Sequence, residues 1–121
     1  MTVFEEDLSQ QQMARLSDEM VRLYKEQFGR GPTRVRSHFA GPDTVVVMLE
    51  ETFTPAERNL AAMGEHQRLR DVRLFFQYAS EEQLCGIVEA ILGRRVRAFI
   101  SGIDSRKDVS AEVFALEPRE G

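Results

Sequence analysis

The chain has one cysteine and two histidines among 121 residues, and each scarcity removes a class of protein. A lone Cys85 cannot form an internal disulfide, and its place on the apolar stripe of a predicted helix favours a buried thiol over a catalytic or redox one. His38 and His66 stand in no spacing with cysteine or acidic residues that would supply the three or four ligands of a zinc site, so no metal site is expected. Long apolar runs are missing as well. The longest, Val45 to Leu49, is far short of the roughly 20 residues needed to cross a bilayer. The opening MTVFEEDLSQQQ carries no basic segment followed by an apolar one, so a cytoplasmic protein without direct membrane insertion is expected. Positive charge is not in excess: 16 Lys and Arg face 20 Asp and Glu, for a net charge of −4. That balance argues against a general nucleic-acid binder. No glycine-rich phosphate loop occurs, since the GRG at 29–31 follows a helical pattern instead of opening one; no cofactor is expected.

What is present describes a folded domain. Hydrophobic residues make up 42% and charged residues 30%, ordinary for a globular chain, and the length fits a single domain over 1–121. Phe4, Leu8, Met13, Leu16, Met20, Leu23, Tyr24 and Phe28 form the stripe of an amphipathic helix from about Glu5 to Phe28, stopped by Gly29, Gly31 and Pro32. TRVRSHFA and TVVVMLEE then read as strands joined by Gly41-Pro42-Asp43 into a hairpin. Thr54, Pro55 and Glu57 fall at N-cap, N1 and N3 of a second helix, a capping box with proline where its missing N–H does no harm. Ala56, Leu60 and Met63 begin its stripe, but Leu69, Val72 and Phe76 lie about half a turn away at about 100° per residue. The helix must therefore break, bend or change which face it buries near Gly64. Ser80 with Gln83 reads as another capping box, opening a helix with the stripe Leu84, Ile87, Val88, Ile91 and Leu92 and the stop Gly93. RVRAFISGI and VSAEVFAL follow as strands around the polar loop Asp104 to Asp108, where Asp104 is placed to cap the turn. Ser101 and Asp104 read as parts of that turn, in preference to a catalytic pair.

The expected fold is therefore α+β: a two-layer single domain in the order α-β-β-α-α-β-β, with a mostly antiparallel four-stranded sheet packed by helices. If Val96, Ala98 and Ile100 meet the helices, the opposite face shows Arg95, Arg97, Phe99 and Phe114 beside Glu112 and Leu116. A solvated face is the plainer reading; a homodimer or partner interface is the sharper one, because Arg and aromatic residues anchor interfaces.

One polar group stands out. His66, Arg70, Arg73 and Gln77 share a helix face, since offsets of four, seven and eleven residues return near one angle. Two guanidiniums suit a carboxylate or phosphate, and a histidine titrates near neutral pH. Glu65, Arg68 and Asp71 also lie three apart, so the same segment reads as a solvated face laced with local ion pairs. Arg73 can point outward to a ligand or inward to a carboxylate such as Glu57.

YKEQFGRGPTRVR, LEETFTPAERNLA, the Arg73 to Phe76 stretch of RLFFQ, GRRV at 93–96, SGID at 101–104 and EVFALEP at 112–118 occur in an order and spacing that resembles the bacterial MpsC-like family. That family is named for a component of a Na+-translocating, membrane-potential-generating system. The resemblance covers nearly the whole chain and brings no reaction or catalytic residue with it. It implies a soluble accessory factor whose partner is a membrane transport-system protein, for cations or inorganic carbon. The favoured reading is a small non-enzymatic accessory or interaction module that forms a homodimer. The alternative is a small-molecule anion binder or weak enzyme using the His66, Arg70 and Arg73 face.

Overall fold

A computed structural model describes residues 2–119; residues 1, 120 and 121 of the expected domain lie outside the described residues. The order is α1 (Val3–Phe28), β1 (Arg34–Phe39), β2 (Thr44–Glu50), α2 (Pro55–Ala62), α3 (His66–Ala79), α4 (Glu81–Leu92), β3 (Val96–Asp104) and β4 (Val109–Leu116). The strands form one four-stranded sheet in the order β1-β2-β4-β3, and every neighbouring pair is antiparallel. The fold is α+β, as the sequence implies, with one helix more than the pattern alone separates.

The extra helix comes from the expected break at Gly64. Its φ of 79° lies in the left-handed region, which glycine enters without a Cβ clash, and α2 ends there before α3 starts. The capping box at the start of α2 is present: Thr54 Oγ1 accepts from Glu57 N, and Glu57 Oε1 accepts from Thr54 N. A further one, Thr2 with Glu5, opens α1. The expected box at Ser80 is not formed. Ser80 N and Oγ both bond back to Phe76 O, because α3 runs into α4 with no extended residue from which a cap could reach forward.

The core lies between the sheet and α1 and α4. Leu16, Met20, Leu23 and Tyr24 of α1 meet Leu84, Val88, Ile91 and Leu92 of α4 over Val45, Val47, Leu49, Phe114 and Leu116. The stripe predicted for α4 is thus the buried one. On α1 the stripe is buried only from its middle onward: Phe4 and Leu8 stay exposed, because the first turns of this 26-residue helix have no partner among the described residues.

The sheet faces are opposite to the expectation at β3 and β4. Glu112, Phe114 and Leu116 are buried toward the helices, and Phe99 packs against the core, whereas Ile100 is 60% exposed. The cause is a register irregularity between Val96 and Ala98. A β-bulge at Arg97 adds one residue, so the side-chain alternation changes phase there: Val96 and Phe99 both face inward, and Ala98 and Ile100 face outward. Of the residues expected on the outer face, Arg95 and Arg97 are exposed, but Phe99, Glu112, Phe114 and Leu116 belong to the helix-covered side.

Candidate functional site

Helix α3 is inside out. Its buried residues are Leu69, Arg73 and Gln77, three positions on one line of the helix, while Val72, Phe75 and Phe76 on the other side are 46%, 69% and 43% exposed. Of the polar face read from the sequence, Arg73 and Gln77 point inward toward the sheet side.

Arg73 is fully buried. Its Nη1 donates to Glu57 at 3.4 Å and its Nη2 to Thr52 Oγ1, and the guanidinium carbon lies 3.6 Å from the centre of the Phe28 ring. Burial lowers the Arg73 pKa, opposed mainly by Glu57. Thr52 in turn donates from N and Oγ1 to Asp108 Oδ1, and Phe53 N donates to Asp108 Oδ2. Asp108 sits at φ 55° and Glu51 at φ 58°, and Glu51 N donates to Asp108 O. Two strained residues thus lock the start of β4 to the chain entering α2.

One turn further along α3, Gln77 Nε2 donates to Ser101 Oγ at 2.6 Å and to Glu112 Oε1 at 3.2 Å. The same Glu112 oxygen accepts from Tyr24 Oη at 2.6 Å and from Ser101 Oγ at 3.0 Å. Burial drives Glu112 up to about 7, against the downward pull of those donors and of Arg73. Burial and then Glu112 push Tyr24 well above its usual value, so the phenol stays a donor. Glu112 Oε2, Gln77 Oε1, Ser110 Oγ and Arg73 Nε are buried with no hydrogen-bond partner.

The four candidates of the α3 face thus separate. Arg73 and Gln77 are taken up by protein partners and sealed from solvent; Arg70 is exposed; His66 Nδ1 is 3.3 Å from Ser105 Oγ. They do not converge on one solvent-facing anion site, because the line that joins Arg73 to Gln77 is the line that faces the core. Arg73 takes the inward alternative, with Glu57 as its partner. The local pairing expected on the outer side is present as Arg68 with Glu65 at 3.6 Å, and Asp71 is bonded by Gln67 instead. Asp104 caps its turn by accepting from Arg106 N and Lys107 N.

Thr52 was not marked by the sequence, and Tyr24, Asp108 and Glu112 were read there only as a stripe residue, a loop residue and an outer-face residue. The only signal for Glu112 was a carboxylate between Ala111 and Val113 in a strand, which is equally the pattern of an outward residue. Among the described residues no group of three or more His, Cys, Asp and Glu could hold a metal ion. A separate cavity of about 930 Å³ lies between α1 and the β1–β2 turn, lined by Met13, Phe39, Pro42 and Arg94 among others. Arg94 closes one wall through Asp43 Oδ1, Pro42 O and Glu117 O.

Taken together, this is a small two-layer α+β domain with its polar network shut inside and apolar side chains on both its outer helix face and its outer sheet face. The chain belongs to the MpsC family: the family model described as Na+-translocating membrane potential-generating system (MpsC) matches residues 9–118. No curated protein and no solved structure matches the chain significantly. No helix among the described residues is long and apolar enough to cross a membrane.

Proposed function

We propose that the protein is a cytoplasmic, non-enzymatic accessory module that works as a homodimer and serves the membrane-potential-generating system for which its family is named. One observation carries this reading. Across the outer sheet face, Ile100, Val113 and Val46 stand side by side on paired strands, followed by His38, and Met48 and Ala111 form the next row. An antiparallel sheet that turns one face to water ordinarily alternates polar residues there; here the central positions are apolar. Such a face calls for a cover, and a second copy supplies an equally apolar one. Arg95 before β3, Arg97 within it, and Arg34 and Arg36 on β1 would form its polar rim.

The test is light scattering coupled to size-exclusion chromatography at about 50 µM protein, a concentration that populates a dimer of micromolar Kd. The expected result is a dimer that persists at high salt and becomes monomeric in Ile100→Glu, with the helical signal unchanged. A wild-type monomer at that concentration would overturn the homodimer.

A further inference from the structure

We propose that Glu112 is a buried proton-binding site: its carboxyl keeps a proton in the folded protein, and Oε2–H donates to Gln77 Oε1. Two planar groups, the Gln77 amide and the Glu112 carboxyl, already share one hydrogen bond from Nε2 to Oε1 at 3.2 Å. Their two other oxygens, Gln77 Oε1 and Glu112 Oε2, are both buried and both lack a partner. With Glu112 ionised, each is an acceptor with no donor, the costly arrangement for buried polar atoms. A single proton on Oε2 supplies the donor that both lack and closes a paired amide–carboxylic acid contact.

Burial favours the neutral form, against the donors to Oε1, Tyr24 from α1, Ser101 from β3 and Gln77 from α3, which pull the other way. The residue opposite on β2 is Val47, and on α4 the Cys85 thiol feels Glu112, which helps to raise it. Among the described residues Arg73 is the cation that pulls Glu112 down, and its charge is already met by Glu57 and Asp108. The raised pKa of about 7 agrees with this geometry. Loss of the proton leaves Gln77 Oε1 on α3 and Glu112 Oε2 on β4 buried without a donor. The amide–carboxyl contact holds the helix whose outer face exposes Phe75 and Phe76.

A folded-state pKa above the unfolded one means that the native protein binds more protons in between. Stability from this site is therefore complete below about pH 4.5 and is lost as pH rises to about 7. The experiment is urea unfolding of wild type and Glu112→Gln between about pH 5 and pH 8, with carbon-detected NMR titration of the glutamate carboxyls in the folded wild type. An amide at 112 keeps an acceptor for Tyr24 and offers N–H to Gln77 Oε1 at every pH. Relative to Glu112→Gln, the wild-type unfolding constant is expected to rise on the order of a hundredfold over that range, and one carboxyl is expected to titrate near 7. Parallel pH profiles for the two proteins, or carboxyls that all titrate at about 4 to 5, would overturn the site. Should the variant not fold, the wild-type NMR titration decides alone.

Discussion

Replacing Arg73 with methionine tests whether the polar side of α3 holds the fold together. Arg73→Met keeps the aliphatic stem and removes the charge, the donors to Glu57 and Thr52, and the contact with the Phe28 ring. Breaking a buried ion pair from one side costs about 3–5 kcal/mol, because the remaining charge is left unpaired. Here the remaining partner, Glu57, retains 15% side-chain exposure and can recover some hydration, which moves the expectation to the lower end. Loss of a desolvated cation–π contact, about 2 kcal/mol at most, acts in the other direction, offset by the solvation that Arg73 regains in the unfolded chain.

The expected cost is therefore about 3 kcal/mol, read as a fall in the urea midpoint at constant slope by circular dichroism. The second arm is Arg73→Met with Glu57→Gln. The amide introduced by Glu57→Gln would keep an oxygen to accept from Thr54 N, so the helix cap survives, while the unpaired charge is gone. The double variant is expected to be about 1–2 kcal/mol more stable than the sum of the two single changes predicts, a coupling typical of residues in one network. A loss below about 1 kcal/mol for Arg73→Met, the size of an ordinary surface substitution, would refute the argument. So would additive single costs, since the ion pair would then contribute nothing that the packing does not.

Asp108→Ala removes a carboxylate that accepts from Thr52 N, Thr52 Oγ1 and Phe53 N and leaves alanine at a φ of 55°; a loss of about 3 kcal/mol is expected. Asp108→Asn, which tolerates the left-handed region and keeps one acceptor, should lose about half as much, and equal losses in the two variants would contradict the account. Burial and then Glu81 and Glu89 raise the Cys85 thiol to about 11, so in the native protein it should react with a thiol reagent at neutral pH far more slowly than a free cysteine. Reaction at the free-cysteine rate would contradict the raised thiol pKa.

How much of this was legible in the sequence depended on whether the signal was local. The Thr54–Pro55–Glu57 start, the Gly29 and Gly93 stops and the break at Gly64 each depend on backbone conformation within a few residues, and all are where the sequence puts them. The sheet faces were not legible, because the bulge at Arg97 has no residue signature. Neither arginine nor its neighbours need a special φ there, and one added residue changes the phase of every side chain beyond it. On β4 the two faces read Val109, Ala111, Val113, Ala115 and Ser110, Glu112, Phe114, Leu116; both are mixed enough to be buried. Size decides it: Phe114 and Leu116 fill the space under α1 and α4, and Glu112 follows them inward by alternation.

That forced burial explains why α3 is inside out. Once Glu112 is committed to the core by Phe114 and Leu116 on the same face, the helix packed over that part of the sheet must bring donors, not methyl groups, or leave a carboxyl without partners. Gln77 answers Glu112 directly, and Arg73, one turn earlier, ties the same face to Glu57 and Thr52. A helix has only one inward face, so the apolar residues that ordinarily occupy it, Val72, Phe75 and Phe76, are displaced outward. The exposed aromatics of α3 and the buried Glu112 are two ends of one constraint. Substituting Glu112 and Gln77 together by leucines should therefore lower the urea midpoint less than substituting Glu112 by leucine alone, because the single change strands Gln77 in addition to Ser101 and Tyr24; an equal or larger loss in the double variant would contradict the constraint.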